Sequence, residues 1–107
     1  MRESQIEKYL VAKVKALGGE VRKVEWVGRR GAPDRLVMLP AKMLHPFPVL
    51  DRPSATIWVE LKNPETIKTF PANAHERQQA REHARMRKMG QRVEVIGTVE
   101  QVDELLK

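Results

Sequence analysis

Three ionisable side chains occur at the ends of two apolar segments, where a hydrophobic core would not require them. Asp34 directly precedes the apolar run 35–39, and Glu60 and Lys62 close the apolar run 56–62. Because side chains alternate along a strand, Glu60 and Lys62 share one face. Carboxylates at the ends of neighbouring strands converge, and such a pair is costly unless a cation lies between them or one carboxyl is protonated.

Together these three side chains are suited to cleaving a phosphodiester. Hard cations such as Mg²⁺ typically bind through one or two carboxylates together with a substrate phosphate. A lysine beside them can hold or activate a water, or neutralise charge that builds on the phosphate. Each residue also has an ordinary interpretation, since Asp34 follows Pro33 as a turn residue would. Glu60 and Lys62 could likewise lie on a solvated strand face.

The composition favours a polyanionic partner and excludes several kinds of site. The chain has 107 residues, enough for one domain with one core. Twenty Lys and Arg against 14 Asp and Glu give a net charge of +6, which favours nucleic acid. The absence of Cys excludes disulfides, thiolate zinc sites and cysteine nucleophiles. With neither a membrane-spanning run nor a secretory signal, the chain is expected to be a soluble cytoplasmic protein.

The elements that must position these residues follow from periodicity and from Gly and Pro. An amphipathic helix is predicted from Ser4 to Leu17, opened by a capping box of Ser4 with Glu7. Strands are predicted at 21–27, 35–39, 56–62 and 92–96, and further helices at 75–89 and 98–106. Residues 40–55, with four prolines, are expected to be a long irregular excursion. The order α-β-β-β-α-β-α predicts an α/β fold, a mixed sheet flanked by helices.

The motifs Gly31-Ala-Pro-Asp34 and Val59-Glu-Leu-Lys62 resemble those of the PD-(D/E)xK nuclease superfamily. Within it the chain is most similar to the virus-type replication-repair nuclease domain, VRR-NUC. The resemblance runs from the RESQIE helix through Gln79-A-R-E-His83 to the GQRVEVI strand, and implies one nuclease domain over residues 1–107. It implies a restriction-endonuclease-like fold and Mg²⁺- or Mn²⁺-dependent DNA cleavage. Stand-alone members are associated with branched DNA, such as Holliday junctions, and with homodimers.

The resemblance also implies roles for individual residues. The metal ligands would be Asp34, Glu60 and the backbone carbonyl of Leu61, with Lys62 as the catalytic lysine. Gln79 matches the glutamine that the family carries on the helix after these strands. The segment 40–55 departs from the family, in which the link is commonly a short hairpin. It could shape the substrate site or a dimer interface, and the sequence does not choose between them.

The family's first-helix acid, which helps hold the metal directly or through water, corresponds to Glu3 or Glu7. On an ideal helical wheel Glu3 projects between Ile6 and Leu10 into the apolar face, whereas Glu7 lies at its edge. A carboxylate on the apolar face of a helix is unfavourable unless its charge is compensated, and a bound metal would compensate it. We therefore favour Glu3. The alternative is that Glu3 precedes the helix and is merely exposed, while Glu7 completes the cap.

Basic side chains near these motifs are candidates for DNA binding. One stripe of the helix 75–89 carries Arg77, Arg81, Arg85 and Lys88, and the opposite stripe carries Gln79, His83 and Met86. Arg29 and Arg30 lie in the loop before Asp34, where they could grip the scissile strand. The alternative for both groups is a solvated basic surface. His83 is expected to be buried and hydrogen-bonded, and His45 and His75 form no metal-ligand spacing.

Two other functional classes remain compatible with the sequence. A non-catalytic nucleic-acid-binding module with a nuclease-like fold would have lost a ligand, and none of the motif residues is missing. A structural or adaptor protein would carry its charges as solvated faces and would show no salt-dependent affinity for DNA.

Overall fold

The fold is built around a mixed β-sheet with helices packed against it. Within residues 1–44 and 49–107, which a computed structural model describes, the sheet has four strands in the order β1-β2-β5-β6. The helices are α1 (Glu3–Ala16), α2 (Ala74–Lys88) and α3 (Val99–Leu105), with a 3₁₀ turn at Thr66–Thr69. The strands are β1 (Glu20–Lys23), β2 (Arg35–Leu39), β3 (Lys42–Leu44), β4 (Val49–Arg52), β5 (Ala55–Leu61) and β6 (Val93–Ile96). The predicted α/β class is confirmed.

Strand register brings the two sequence motifs together at the same end of the two central strands, β2 and β5. β2 pairs antiparallel with β5, so that Arg35 lies opposite Val59. The residue before β2, Asp34, therefore meets the strand end that carries Glu60. β5 pairs in parallel with β6, which follows α2 in the chain. The β5-α2-β6 crossover thus places α2 against the sheet, where its side chains can reach the end of β5.

The two faces of β5 have different partners. Ile57, Val59 and Leu61 are buried in the apolar core, which the inner faces of α1 and α3 complete. Glu60 points to the opposite face because side chains alternate along a strand. On that face α2 buries polar side chains, including Gln79 and His83. The apolar core therefore positions β5, while the polar face of α2 surrounds its carboxylate.

The predicted end of β1 was wrong by four residues, whereas the other predicted helix and strand bounds differ from the observed ones by at most one residue. β1 ends at Lys23 rather than at residue 27. The Val24 N–H still donates to the Asp34 carbonyl at 3.0 Å, and beyond this contact the chain turns into the loop. α1 begins at Glu3, one residue before the predicted start. The Ser4–Glu7 capping box is also wrong, because Glu7 instead accepts a hydrogen bond from Arg35.

The expected irregular excursion at 40–55 instead contains a second, two-stranded sheet. β3 and β4 pair antiparallel, with a bulge between Lys42 and Met43. Their apolar side chains are about half exposed, which explains the missing alternation; they are Met43, Leu44, Val49 and Leu50. The predicted features at His45, Pro46 and Pro48 lie outside the described residues. Within the described part of the chain, no helix is long and apolar enough to cross a membrane.

Candidate metal centre and active site

Asp34 and Glu60 form the carboxylate pair at the centre of the site. The Oδ2 atom of Asp34 accepts a hydrogen bond from the Leu61 N–H at 2.8 Å, which fixes the aspartate against the end of β5. Glu60 is 2% exposed, and its Oε1 atom has no hydrogen-bond partner among the described residues. The convergence of carboxylates that the strand ends predicted is therefore present.

The surroundings of Glu60 disfavour a bare negative charge. Burial, reinforced by the neighbouring carboxylate of Asp34, raises the pKa of Glu60 to about 9. A buried carboxyl with a free oxygen beside a second carboxyl becomes favourable in its ionised form when a cation lies between the two. The residues present therefore fit a divalent metal.

The oxygen atoms available at this site suit a hard cation that takes its remaining ligands from water or from the substrate. Among the residues that the structure describes, no three His, Cys, Asp or Glu side chains gather closely enough to ligate one ion. Asp34 and Glu60 supply two carboxylates. The Leu61 carbonyl lies on the same side of β5 as the Leu61 N–H, which donates to Asp34. Mg²⁺ commonly binds through one or two carboxylates and fills its remaining positions with waters or substrate phosphate.

Lys62 and Gln79 connect this carboxylate pair to α2. The side-chain amide of Gln79 donates from Nε2 to Glu60 Oε2, and its Oε1 accepts from Lys62 Nζ, both at 3.3 Å. One buried side chain therefore contacts a candidate metal ligand and the candidate catalytic lysine. This contact explains why the sequence carries a glutamine on the inward stripe of α2, where an apolar residue would otherwise be expected.

One buried residue in this network, Glu76, was missed by the sequence analysis. Its Oε2 lies 2.9 Å from Lys62 Nζ, and its Oε1 accepts from the Ala72 N–H at 2.8 Å. Glu76, Gln79 and His83 are spaced i, i+3 and i+7, so they form one stripe of α2. Extending the inward stripe by one turn towards the N-terminus would have included Glu76, although nothing in the pattern marks its contact with Lys62.

His83 is fully buried, as predicted, but the expected hydrogen bonds are absent. Neither ring nitrogen has a hydrogen-bond partner among the described residues, and Nε2 lies 3.6 Å from Glu60 Oε1. Burial, with a smaller contribution from Arg87, lowers the pKa of His83 to about 4. The ring of Phe70 stacks on the imidazole at a centroid distance of 6.2 Å. At neutral pH the site therefore contains an uncharged imidazole beside Glu60.

The two acids of α1 have different surroundings. Partial burial, followed by the negative charge of Asp34, raises the pKa of Glu3, and the positive charge of Lys62 acts in the opposite direction. Glu3 therefore lies within electrostatic reach of the site, although it is exposed. Glu7 is paired with Arg35 at the start of β2. Of the two, Glu3 is the acid that remains available to the site.

The loop before Asp34 is fastened to α2. Arg29 donates two hydrogen bonds to the buried carboxylate of Glu82, each 2.8 Å long. Gly31, with a φ of +95°, approaches so closely that an added Cβ would lie 2.9 Å from the Cβ of Glu82. These contacts hold the Gly31–Asp34 segment in place. Arg30 is exposed beside them.

The basic stripe of α2 faces away from the carboxylate pair. All four of its side chains are exposed: Arg77, Arg81, Arg85 and Lys88. Arg81 donates to Gln78 at 2.8 Å, and Arg85 lies 3.9 Å from Glu82. The stripe therefore lies on the exposed side of α2, whereas Glu76, Gln79 and His83 lie on its buried side.

Comparison with known proteins shows similarity over nearly the whole chain. A solved structure described as a "VRR_NUC domain" matches with a TM-score of 0.68 and 38% identity, covering 97% of this chain and 92% of that chain. The "Putative nuclease p44" of Acyrthosiphon pisum secondary endosymbiont phage 1 is 40% identical over 96 residues, which are 90% of this chain and 83% of that protein. No family model matches the chain. Both similarities extend well beyond the two motifs.

Proposed function

Because the chain belongs to the VRR-NUC family of nucleases, we propose that it is a Mg²⁺- or Mn²⁺-dependent endonuclease hydrolysing the phosphodiester bonds of DNA. The proposal rests most on the buried, incompletely hydrogen-bonded carboxylate of Glu60 beside Asp34. A net charge of +6 supports a polyanionic substrate. We assign this activity to a single domain over residues 1–107, inside a bacterial or phage-infected cell.

Each residue of the centre has a distinct proposed role. Asp34, Glu60 and the Leu61 carbonyl hold the ion, and Glu3 contributes through water. A bound divalent ion supplies Lewis-acid stabilisation of the phosphate and lowers the pKa of a coordinated water. Lys62 neutralises charge that develops on the phosphate oxygens. Gln79 orients both Glu60 and Lys62, since its amide contacts both.

The DNA-binding role is assigned to exposed basic side chains. Arg30 lies in the loop next to Asp34, where it can contact the strand to be cut. The stripe Arg77, Arg81, Arg85 and Lys88 provides further phosphate contacts, and such contacts make affinity salt-dependent. The guanidinium of Arg29 already donates two hydrogen bonds to the Glu82 carboxylate. Its contribution to DNA binding is therefore chiefly through the position of this loop.

We propose branched DNA as the substrate and a homodimer as the working form. The described part of the chain contains one such centre, so paired cuts across a junction require a second subunit or a second binding event. The exposed apolar side chains of β3 and β4 are suited to burial between two copies, with Leu50 53% exposed. Sedimentation should find a dimer that Leu50→Asp converts to a monomer. A wild-type monomer at working concentration would contradict the dimer.

The decisive experiment is cleavage of a labelled four-way junction and a linear duplex with Mg²⁺, Mn²⁺ or EDTA. Wild type should cut only with metal, whereas Glu60→Gln and Lys62→Ala should bind DNA without cutting. Lys68→Ala is the matched control, because Lys68 is an exposed lysine outside the site. Binding without cleavage by wild type on every DNA would favour the non-catalytic module. Cleavage by both site variants at the wild-type rate would refute the assignment.

A further inference from the structure

Glu76 is a buried acid whose two carboxylate oxygens have separate partners. Oε2 lies 2.9 Å from Lys62 Nζ, and the side chains of this pair are 12% exposed on Lys62 and 10% exposed on Glu76. Oε1 accepts a hydrogen bond from the Ala72 N–H, which ties the carboxylate to the segment that leads into α2. Glu76 is therefore held in a fixed place and presents one oxygen to the lysine.

Lys62 meets fixed neighbours on more than one side. Besides Glu76, it donates to Gln79 at 3.3 Å, and its Nζ lies 5.1 Å from the centre of the Phe70 ring. A lysine side chain has four rotatable stem bonds and pays a large entropy cost when it is ordered. These neighbours come from α2 and the segment before it, so contacts that restrain the ammonium are present before any substrate binds.

We propose that Glu76 is a positioning residue that holds the Lys62 ammonium at the cleavage site before DNA binds. The effect on catalysis rests on the proposed nuclease function. If Lys62 is ordered in advance, the entropy cost of ordering its side chain is removed from the chemical step. Gln79 alone cannot do this, as its single carbonyl oxygen is a neutral acceptor at longer range. Glu76 supplies the charged contact and therefore the stronger restraint.

A competing account gives Glu76 a purely structural role. Its hydrogen bond from Ala72 could serve only to secure the start of α2, in which case the contact with Lys62 would be incidental. Glu76→Gln separates the two accounts, because the amide oxygen can still accept from Ala72 while the charge on Lys62 is no longer balanced. Glu76→Asp keeps the charge but shortens the side chain by one methylene.

The test compares Glu76→Gln and Glu76→Asp with wild type and with Glu65→Gln, which alters an exposed glutamate before the 3₁₀ turn. Cleavage kinetics give kcat and KM separately, and NMR of the Lys62 side-chain nitrogen in the Mg²⁺-loaded, DNA-free protein reports the order of the ammonium. We expect Glu76→Gln to lower kcat about 10- to 100-fold with KM within about twofold. It should also disorder the Lys62 signal, with Glu76→Asp intermediate and Glu65→Gln unchanged.

Failure of this inference is distinguishable from failure of the nuclease proposal. If wild type cuts no DNA, the nuclease proposal fails, and the Lys62 signal alone decides whether Glu76 orders the lysine. A Glu76→Gln protein with an unchanged Lys62 signal overturns the inference, as does a kcat equal to or above wild type. If Glu76→Gln does not fold, Glu76→Asp is judged by the same two measurements.

Discussion

The Nε2 atom of His83 lies 3.6 Å from the Oε1 atom of Glu60, and both side chains are buried. Burial lowers the pKa of His83 to about 4, so the imidazole is neutral at pH 7. Burial and Asp34 raise the pKa of Glu60 to about 9, so without a cation its carboxyl is also neutral. The metal-free centre thus avoids charge at Glu60, and a metal must displace a proton to bind there.

Metal affinity should therefore increase with pH. A carboxyl with a raised pKa binds its proton below about pH 9, and only the ionised form ligates a cation. The apparent affinity for Mg²⁺ should rise roughly tenfold per pH unit between about pH 6 and 8. His83 stays neutral throughout this range, because its pKa is about 4. Calorimetric titration in buffers of different ionisation enthalpy should also detect the release of about one proton.

Glu60→Gln is the control for this linkage. The amide keeps the shape of the side chain but has no proton to lose, so proton release should disappear together with most of the affinity. Equal Mg²⁺ affinity for wild type at both ends of the pH range would show that Glu60 is already ionised without metal.

Replacing Gln79 should reduce the rate of cleavage more than replacing the adjacent Gln78. Gln79→Ala removes the amide that contacts both Glu60 and Lys62, so the rate of metal-dependent cleavage should fall about 10- to 100-fold. Gln78→Ala is the matched control, because Gln78 contacts Arg81 on the outside of α2. Single-turnover cleavage at saturating metal measures the difference. Equal rates for the two variants would remove Gln79 from the site.

The parts of the site that the sequence could predict are those fixed by strand ends. Asp34, Glu60 and Lys62 were identifiable because ionisable residues at the ends of apolar strands are conspicuous, and alternation alone places Glu60 and Lys62 together. The resemblance to a nuclease family added roles to that geometry. Gln79 was identified by its match to the family's glutamine, and its place on the stripe of α2 opposite the basic residues agreed with that role.

Other features depend on contacts that no local pattern reveals. Arg29 and Glu82 are 53 residues apart in sequence, so nothing near Arg29 indicates that its guanidinium is already bound. Glu76 lies in the first turn of α2, where an acid is ordinary because it suits the helix dipole. The two-stranded sheet of β3 and β4 was not predicted, because its exposed apolar side chains show no alternation between buried and exposed positions.

Arg29 should contribute mainly to the stability of the fold, and Arg30 mainly to DNA binding. Arg29→Ala leaves the buried Glu82 carboxylate without its bidentate partner, so the thermal midpoint should fall. Arg30→Ala should leave the midpoint unchanged and weaken DNA binding, reducing the slope of log affinity against log salt by about one. Thermal denaturation and binding at several salt concentrations measure both effects. An unchanged salt slope in Arg30→Ala would exclude a phosphate contact by that residue.

Gly31 should tolerate substitution less well than Gly28, although both have positive φ angles. Gly28 has a φ of +76° with nothing within 4 Å of an added Cβ, so alanine there incurs only the backbone cost of about 1 kcal/mol. At Gly31 the added Cβ would also meet the Glu82 Cβ at 2.9 Å, which adds about 1–3 kcal/mol of overpacking. Gly31→Ala should thus have the lower free energy of unfolding in urea. Asp34 lies only three residues after Gly31, so a shift of the loop would also move this metal ligand. The Gly31→Ala variant should therefore bind Mg²⁺ more weakly than the Gly28→Ala variant. Equal stability and equal metal affinity for the two variants would show that the loop can move away from α2 without disturbing the carboxylate pair.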